Sequence, residues 1–167
     1  MNLKLREKIR SDVIERDVQE RTLADVLDVK ASILLVLIVF LVEQTNGIVE
    51  KAAGVRFVYI AQFISGLSLI GAGCLVVLAL WPASYRFPAP AQNLVDWAEA
   101  KEKELGESSE DAVLAQYEAG SYLRALERAN TNHRLNRKKA DYVKVAFRLS
   151  ALALTLNIMC VLRLVVG

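Results

Sequence analysis

The feature that most restricts this chain is the run VRFVYIAQFISGLSLIGAGCLVVLALW at 55–81, which holds one charged residue, Arg56, close to its start. At a helical rise of ~1.5 Å per residue the run exceeds the ~30 Å thickness of bilayer hydrocarbon, which predicts a membrane-spanning helix. A second run, SALALTLNIMCVLRLVVG at 150–167, is interrupted only by Arg163, and with 142–147 ahead of it this run too is long enough to cross. Hydrophobic residues make up 54% of the 167-residue chain and charged residues 24%. The two sets occupy separate stretches, as lipid immersion requires.

A shorter apolar stretch at 31–42 is followed by Glu43, Gln44, Thr45 and Asn46. Extended back through Val26, Leu27 and Val29 it predicts a further span, with Lys30 snorkelling to the headgroups and Asp28 at the interface. A signal peptide would place its apolar core directly after a brief basic start, whereas thirty residues rich in charge precede this one. Lys and Arg number seven in 1–30, two in 46–56 and eleven in 82–148. The positive-inside bias therefore puts the N-terminus and the middle region in the cytoplasm, and the 46–56 hairpin and Gly167 outside. Phe57 and Tyr59 would mark the outer interface, and Trp81, Tyr85 and Tyr142 the inner one.

The expected fold is all-α: a multi-pass membrane helical protein with a cytoplasmic helical bundle whose last helix is continuous with the final span. Its segments are a cytoplasmic N-terminal helix at 1–29, a transmembrane hairpin at 30–82, a cytoplasmic helical region at 83–142 and a C-terminal span at 143–167. Turn chemistry at Thr45-Asn46-Gly47 predicts the end of the first span. Gly54 separates the hairpin from the second span, and Trp81-Pro82 stops that span because proline cannot continue a helix. A loop with Pro82, Pro88 and Pro90 follows. Asn93 with Asp96 resembles a cap opening a short helix to about Leu105, ended by Gly106, and Ser108 with Asp111 repeats the pattern. From Ser109 onward there is no proline and a single glycine, Gly120, before the last span, which predicts one long helix.

Catalysis finds little support. There is one histidine, His133, and no Gly-rich phosphate loop, nucleophile elbow or cluster of metal ligands, so neither an enzyme nor a metal or cofactor site is expected. A net charge of +2 without a basic, aromatic-interleaved stripe argues against nucleic acid. Cys74 and Cys160 lie in predicted spans and read as small apolar groups that stay reduced.

Placed at ~100° per residue, Ala112, Ala115, Ala119, Tyr122, Leu126 and Ala129 form a stripe that continues into Asn130, His133 and Arg137. On the N-terminal helix Leu5, Ile9, Val13, Leu23 and Leu27 share a face that Arg16 and Glu20 interrupt. Polar groups on inward faces need partners. In one reading Arg16 and Glu20 pair at i, i+4, while Asn130, His133 and Arg137 bond to neighbouring helices or lipid phosphates. In the other, these groups line a small pocket in the bundle. Arg134, Arg137, Lys138, Lys139, Lys144 and Arg148 form a basic collar suited to anionic headgroups, making membrane lipids an expected partner. Within the membrane, Ala61, Ser65, Ser68 and Ala72 make a small-residue stripe, and Thr155 and Asn157 add polar positions. Both suggest helix contacts, within one subunit or in a homo-oligomer.

The segment Ala24-Asp25-Val26-Leu27-Asp28-Val29-Lys30-Ala31-Ser32-Ile33-Leu34-Leu35 resembles the D-x-K-A-S-hydrophobic approach to the first span in the transmembrane effectors of Pycsar antiphage systems. The arrangement around Asn130, Leu135, Asn136 and Lys139, leading to Asp141-Tyr142-Val143-Lys144-Val145-Ala146, is also similar to theirs. The resemblance implies a bacterial inner-membrane effector that senses cyclic CMP or cyclic UMP made by a partner pyrimidine cyclase, and impairs the membrane so that the infected cell dies. Motif positions carried over are Asp28, Lys30, Ala31 and Ser32. With such a ligand, Arg16 and Arg137 would meet the phosphate, Asn130 a base or sugar edge and Tyr122 the base, with Glu20 and His133 beside them. The competing readings are a constitutive channel or transporter subunit, and a membrane adaptor that anchors a partner protein.

Overall fold

A computed structural model describes residues 3–51, 55–81, 85–87 and 110–166, with Asn93, Asp96, Ala100 and Lys103 between them. Side chains are described from Ile9 in the first helix and from Leu114 in the last. Three helices emerge: α1 at Leu3–Lys51, α2 at Arg56–Leu80 and α3 at Glu110–Val166. Asn93, Asp96, Ala100 and Lys103 are helical too, and no strand occurs among the described residues. The all-α class is as expected, and so is the single long helix that ends the chain, 57 residues without a break. The features expected at Gly54, Pro82, Pro88, Pro90, Leu105, Gly106 and Ser108 lie outside the described residues.

The chain divides into two compact units, Met1–Leu23 with Ala83–Leu135, and Ala24–Pro82 with Asn136–Gly167. Both α1 and α3 contribute residues to each.

Burial along the two long helices follows one rule. On α1 the buried positions are Asp17, Glu20, Ala24, Leu27, Ala31, Leu34, Ile38, Leu41, Thr45 and Ile48. On α3 they are Ala125, Ala129, Asn132, Asn136, Lys139, Ala146, Ser150, Ala153, Asn157 and Cys160, with half-buried Val143 between Lys139 and Ala146. Steps of three and four alternate, a mean period of ~3.5 residues that is the heptad signature of helices packed along a seam. This corrects the stripe expected on α3. Among the described side chains of that stripe Ala129 is on the seam, Tyr122 and Leu126 are half-buried, and Ala115, Ala119, Asn130, His133 and Arg137 are exposed.

The heptad also overturns the expected turn at Thr45-Asn46-Gly47, because α1 continues through it to Lys51. Thr45 and Ile48 are seam positions, and the Thr45 hydroxyl donates to the Leu41 carbonyl at 2.8 Å. Burial of Ile48 against Val58, Ala61 and Cys160 outweighs the ~1 kcal/mol cost of a helical glycine. The stop expected at Trp81-Pro82 does occur: α2 ends at Leu80 and Trp81 is extended, with φ −57° and ψ 132°. A residue preceding proline is held out of the helical region by the ring's Cδ.

In the second unit Ala31, Leu34, Ile38 and Leu41 of α1 pack with Leu69, Ala72, Val76 and Ala79 of α2 and with Ala146 and Ala153 of α3. Here α1 and α3 run parallel, since Asp28 meets Lys139 and Thr45 meets Asn157. The small residues expected to permit close approach, Ala61, Ser65, Ser68 and Ala72, are all buried within this unit, so their contacts are intramolecular. Outward from the same helices point Ile33, Val36, Phe40, Phe63, Leu67, Ile70, Leu78, Phe147 and Ile158, all substantially exposed. A rim of large apolar side chains is what lipid requires and water penalises. Among the described residues two helices are long and apolar enough to cross a membrane, Arg56–Leu80 and the Leu114–Val166 part of α3. The 31–42 stretch is helical with seam-spaced burial.

Candidate functional site

The first unit holds most of the polar residues singled out in the sequence. Its α1 and α3 segments are joined by ion pairs at successive levels, Arg10 with Glu118 at 2.9 Å, Asp17 with Arg128 at 3.1 Å and Glu20 with His133 at 2.7 Å. The separations in sequence, 111 for Asp17–Arg128 and 113 for Glu20–His133, show parallel helices in a fixed register. Arg128 grips Asp17 Oδ2 through both Nε and Nη2, and Arg21 reaches the same oxygen at 3.5 Å. Asp17 is 2% exposed, so this charge is held by guanidinium groups rather than by water.

A third segment docks on α3 through Asn132, which is fully buried. Its amide nitrogen donates to the Arg86 carbonyl and its amide oxygen accepts from the Arg86 backbone N–H, each at 3.2 Å. The Arg86 side chain also pairs with Glu127. An asparagine that satisfies both backbone groups of one residue ties 85–87 to the helix much as a strand would.

The expected pairing of Arg16 with Glu20 does not form. Glu20 is a seam position, 7% exposed, and takes His133, whereas Arg16 lies off the seam and is exposed. Arg16 instead lines a cavity of about 180 Å³ with Ile9, Asp12, Val13, Leu126, Ala129 and Asn130. A neighbouring depression of about 460 Å³ shares Asp12 and Arg16 and adds Glu15, Gln19 and Glu20. Arg16, Asp12 and Asn130 make no hydrogen bond or ion pair among the described residues. Two of the six expected ligand residues, Arg16 and Asn130, thus face one cavity, and Glu20 borders the adjoining depression. Tyr122 and His133 belong to this unit without lining either space, and Arg137 is exposed and belongs to the other unit.

In the second unit the D-x-K-A-S residues acquire separate roles. Asp28 Oδ1 lies 2.6 Å from Lys139 Nζ, and Lys139 is buried, so this lysine leaves the basic collar. Ala31 is fully buried where α1 meets its neighbours, and the Ser32 hydroxyl donates to the Asp28 carbonyl at 2.9 Å. Lys30 stays exposed, as do Arg134, Arg137, Lys138, Lys144 and Arg148. Deeper along the spans, Asn157 Nδ2 donates to Thr45 Oγ1 and Ser65 Oγ donates to Asn157 Oδ1, both at 3.2 Å, linking all three helices. Thr155 faces outward and bonds its own helix at Ala151. Gln62 is 3% exposed and both its amide atoms lack a partner among the described residues. Cys160 packs in the interior, while Cys74 is exposed on α2.

Asp17, Arg128, Asn132, Lys139, Gln62 and Arg86 were not singled out as site residues by the sequence reading. The signal for Asp17, Asn132 and Lys139 is the 3-4-3-4 spacing of the seam, which Arg128 flanks beside Ala129; Arg86 carries none. Among the described residues no three His, Cys, Asp or Glu side chains are grouped as a metal site would need.

The fold and these clusters define a helical membrane protein with a polar, ion-paired unit and an apolar, lipid-suited one. The chain belongs to the family described as the Pycsar effector protein domain, whose model matches residues 17–167. The match starts at the Asp17 pair and leaves out Arg10, the α1 wall of the cavity and the Asp12, Glu15 and Arg16 part of the adjoining depression. No curated protein and no solved structure matches the chain. Family membership carries an antiphage effector role at a membrane, in a family of non-enzymatic effectors coupled to cyclase signalling.

Proposed function

We propose that the chain senses a cyclic pyrimidine mononucleotide, cCMP or cUMP, made by a partner cyclase, and answers by impairing the inner membrane, with cell death as the outcome. The observation that carries this reading is the cavity with Arg16 and Asn130 on its walls, neither of them bonded to another side chain among the described residues. A cyclic phosphate diester has one negative charge, which a guanidinium meets with directional hydrogen bonds, and an amide suits a ribose or base edge. At about 180 Å³ the cavity is smaller than the ~300 Å³ at which pockets for whole small molecules begin. Phosphate and ribose would occupy it and the base would extend over the adjoining depression. Asp12, which lines both and has no partner among the described residues, would accept from the exocyclic amino group of cytosine, which favours cCMP over cUMP.

Binding there would draw α1 and α3 of this unit together around the ligand. A ligand shifts a conformational equilibrium only by its difference in affinity for the two states. Since α1 and α3 are unbroken helices that also build the apolar unit, a change in their packing is a route to altered spans. In this reading the 31–42 part of α1 crosses the membrane with α2 and the end of α3, the N-terminus is cytoplasmic, and several chains associate.

The test is thermal stability of the full chain in detergent with each cyclic mononucleotide, followed by dye release from vesicles carrying it. Cyclic CMP should raise the melting temperature and trigger release, and Arg16→Ala should abolish both while leaving insertion intact. A wild-type response from Arg16→Ala removes the cavity as the sensor. Steady release without any nucleotide would identify a constitutive channel instead.

A further inference from the structure

At the end of the second unit where the apolar part of α1 begins, α1 and α3 leave an open groove of about 470 Å³. Its walls are apolar, with Ile33, Leu34 and Leu37 from α1 and Phe147 from α3, and two lysines, Lys30 and Lys144, join them. Ile33 and Phe147 are 65% and 61% exposed, so these side chains stand open beside the groove. Neither lysine makes a hydrogen bond or ion pair among the described residues, and Asp28, two residues before Lys30, is held by Lys139.

The levels of these groups follow from the Asp28–Lys139 contact and the parallel course of the helices. At ~1.5 Å per residue, Lys30 stands about 3 Å and Lys144 about 7.5 Å further along, a few ångströms apart in height. Leu37 and Phe147 lie about 12 to 14 Å along the same direction. The groove therefore has cations at one end and continues as an apolar trough. Flexible lysine stems let both ammonium groups converge at the charged end.

We propose that this groove binds one anionic phospholipid, its phosphate held between Lys30 and Lys144 and one acyl chain lying along Ile33, Leu34, Leu37 and Phe147. Charge complementarity selects the ligand. A zwitterionic lipid would bring its own cation up to the two lysines, whereas phosphatidylglycerol brings net negative charge to them. The site is independent of nucleotide sensing and sits in the other unit from the Arg16 cavity.

Native mass spectrometry of the full chain, released from micelles holding equal amounts of phosphatidylcholine and phosphatidylglycerol, reads the site directly. One phosphatidylglycerol should be retained per chain under activation that strips phosphatidylcholine. Replacing both lysines by glutamine, Lys30→Gln with Lys144→Gln, should weaken retention about thirtyfold, taking each lysine at its usual worth against anionic lipid. Arg134→Gln with Lys138→Gln removes the same charge from exposed positions off the groove and should leave retention unchanged. Ala140→Phe, which crowds the charged end of the groove without altering charge, should reduce it. Equal loss in the two charge variants, or equal retention of both lipids, overturns the site. A photoreactive phenylalanine at position 147 provides a check that leaves both lysines in place. Crosslinking to phosphatidylglycerol supports the proposal, and crosslinking mainly to phosphatidylcholine or to a second copy of the chain defeats it.

Discussion

Lys139 Nζ lies 2.6 Å from Asp28 Oδ1, and the burial of the two partners is unequal: the lysine side chain is 8% exposed and the aspartate 45%. The pair links the D-x-K-A-S segment of α1 to the seam of α3. Its asymmetry makes the two single substitutions differ. Asp28→Asn takes a carboxylate away from a buried ammonium and should cost about 1–3 kcal/mol, whereas Lys139→Met leaves a carboxylate that water can reach and should be near neutral. Thermal unfolding of both variants in detergent checks the order, and equal losses would contradict it.

Arg128 holds buried Asp17 through two nitrogens, a geometry lysine cannot copy. Arg128→Lys should therefore destabilise the first unit by about 1–3 kcal/mol despite keeping the charge. Limited proteolysis should cut this variant faster within 114–135, with the apolar unit unaffected.

Asn132→Leu removes both bonds to the Arg86 backbone. Two lost hydrogen bonds at ~1 kcal/mol each predict that the Arg86 amide exchanges its hydrogen about thirtyfold faster. Hydrogen–deuterium exchange measures this directly, and unchanged protection would mean that the 85–87 segment is held by other contacts.

Within the apolar unit two amides should respond with opposite signs. Asn157→Leu strips the group that joins Thr45 and Ser65, at a cost of about 1 kcal/mol, since bonds between helices in lipid average ~0.6 kcal/mol each. Gln62→Leu removes two buried, unpartnered polar atoms and should stabilise by about 1–2 kcal/mol. Melting temperatures in detergent distinguish the two, and destabilisation by Gln62→Leu would show that its amide has a partner in solution.

The lengths and ends of α2 and α3 were legible because lipid writes them in hydropathy and proline writes them in its ring: the 55–81 run and Pro82 mark α2, and the absence of proline after Ser109 marks α3. The face that α3 buries was not legible. Its seam is Ala125, Ala129, Asn132, Asn136, Lys139, Ala146, Ser150, Ala153 and Asn157, small or polar residues that carry no apolar signature. A strict 100° wheel also drifts about 20° per heptad from a 3.5-residue seam, roughly 160° over the 57 residues of α3. That Arg16 and Asn130 interrupt inward faces was legible, because a charged or amide group breaking an apolar face is visible in sequence, and the two line one cavity. Glu20 was assigned the wrong partner because its histidine lies 113 residues away and a local pairing rule cannot reach that far.

The Thr45–Asn157 contact has a consequence for motion within the apolar unit. It stands seventeen residues along α1 and eighteen along α3 from Asp28–Lys139, so these two helices are riveted at both ends of the same stretch. Sliding or twisting one against the other would break both rivets together. The remaining helix is fastened to this rail by fewer polar bonds, chiefly the Ser65 hydroxyl, and otherwise by apolar contacts that reorganise at lower cost. A door in this wall would therefore hang on α2, with α1 and α3 as its frame.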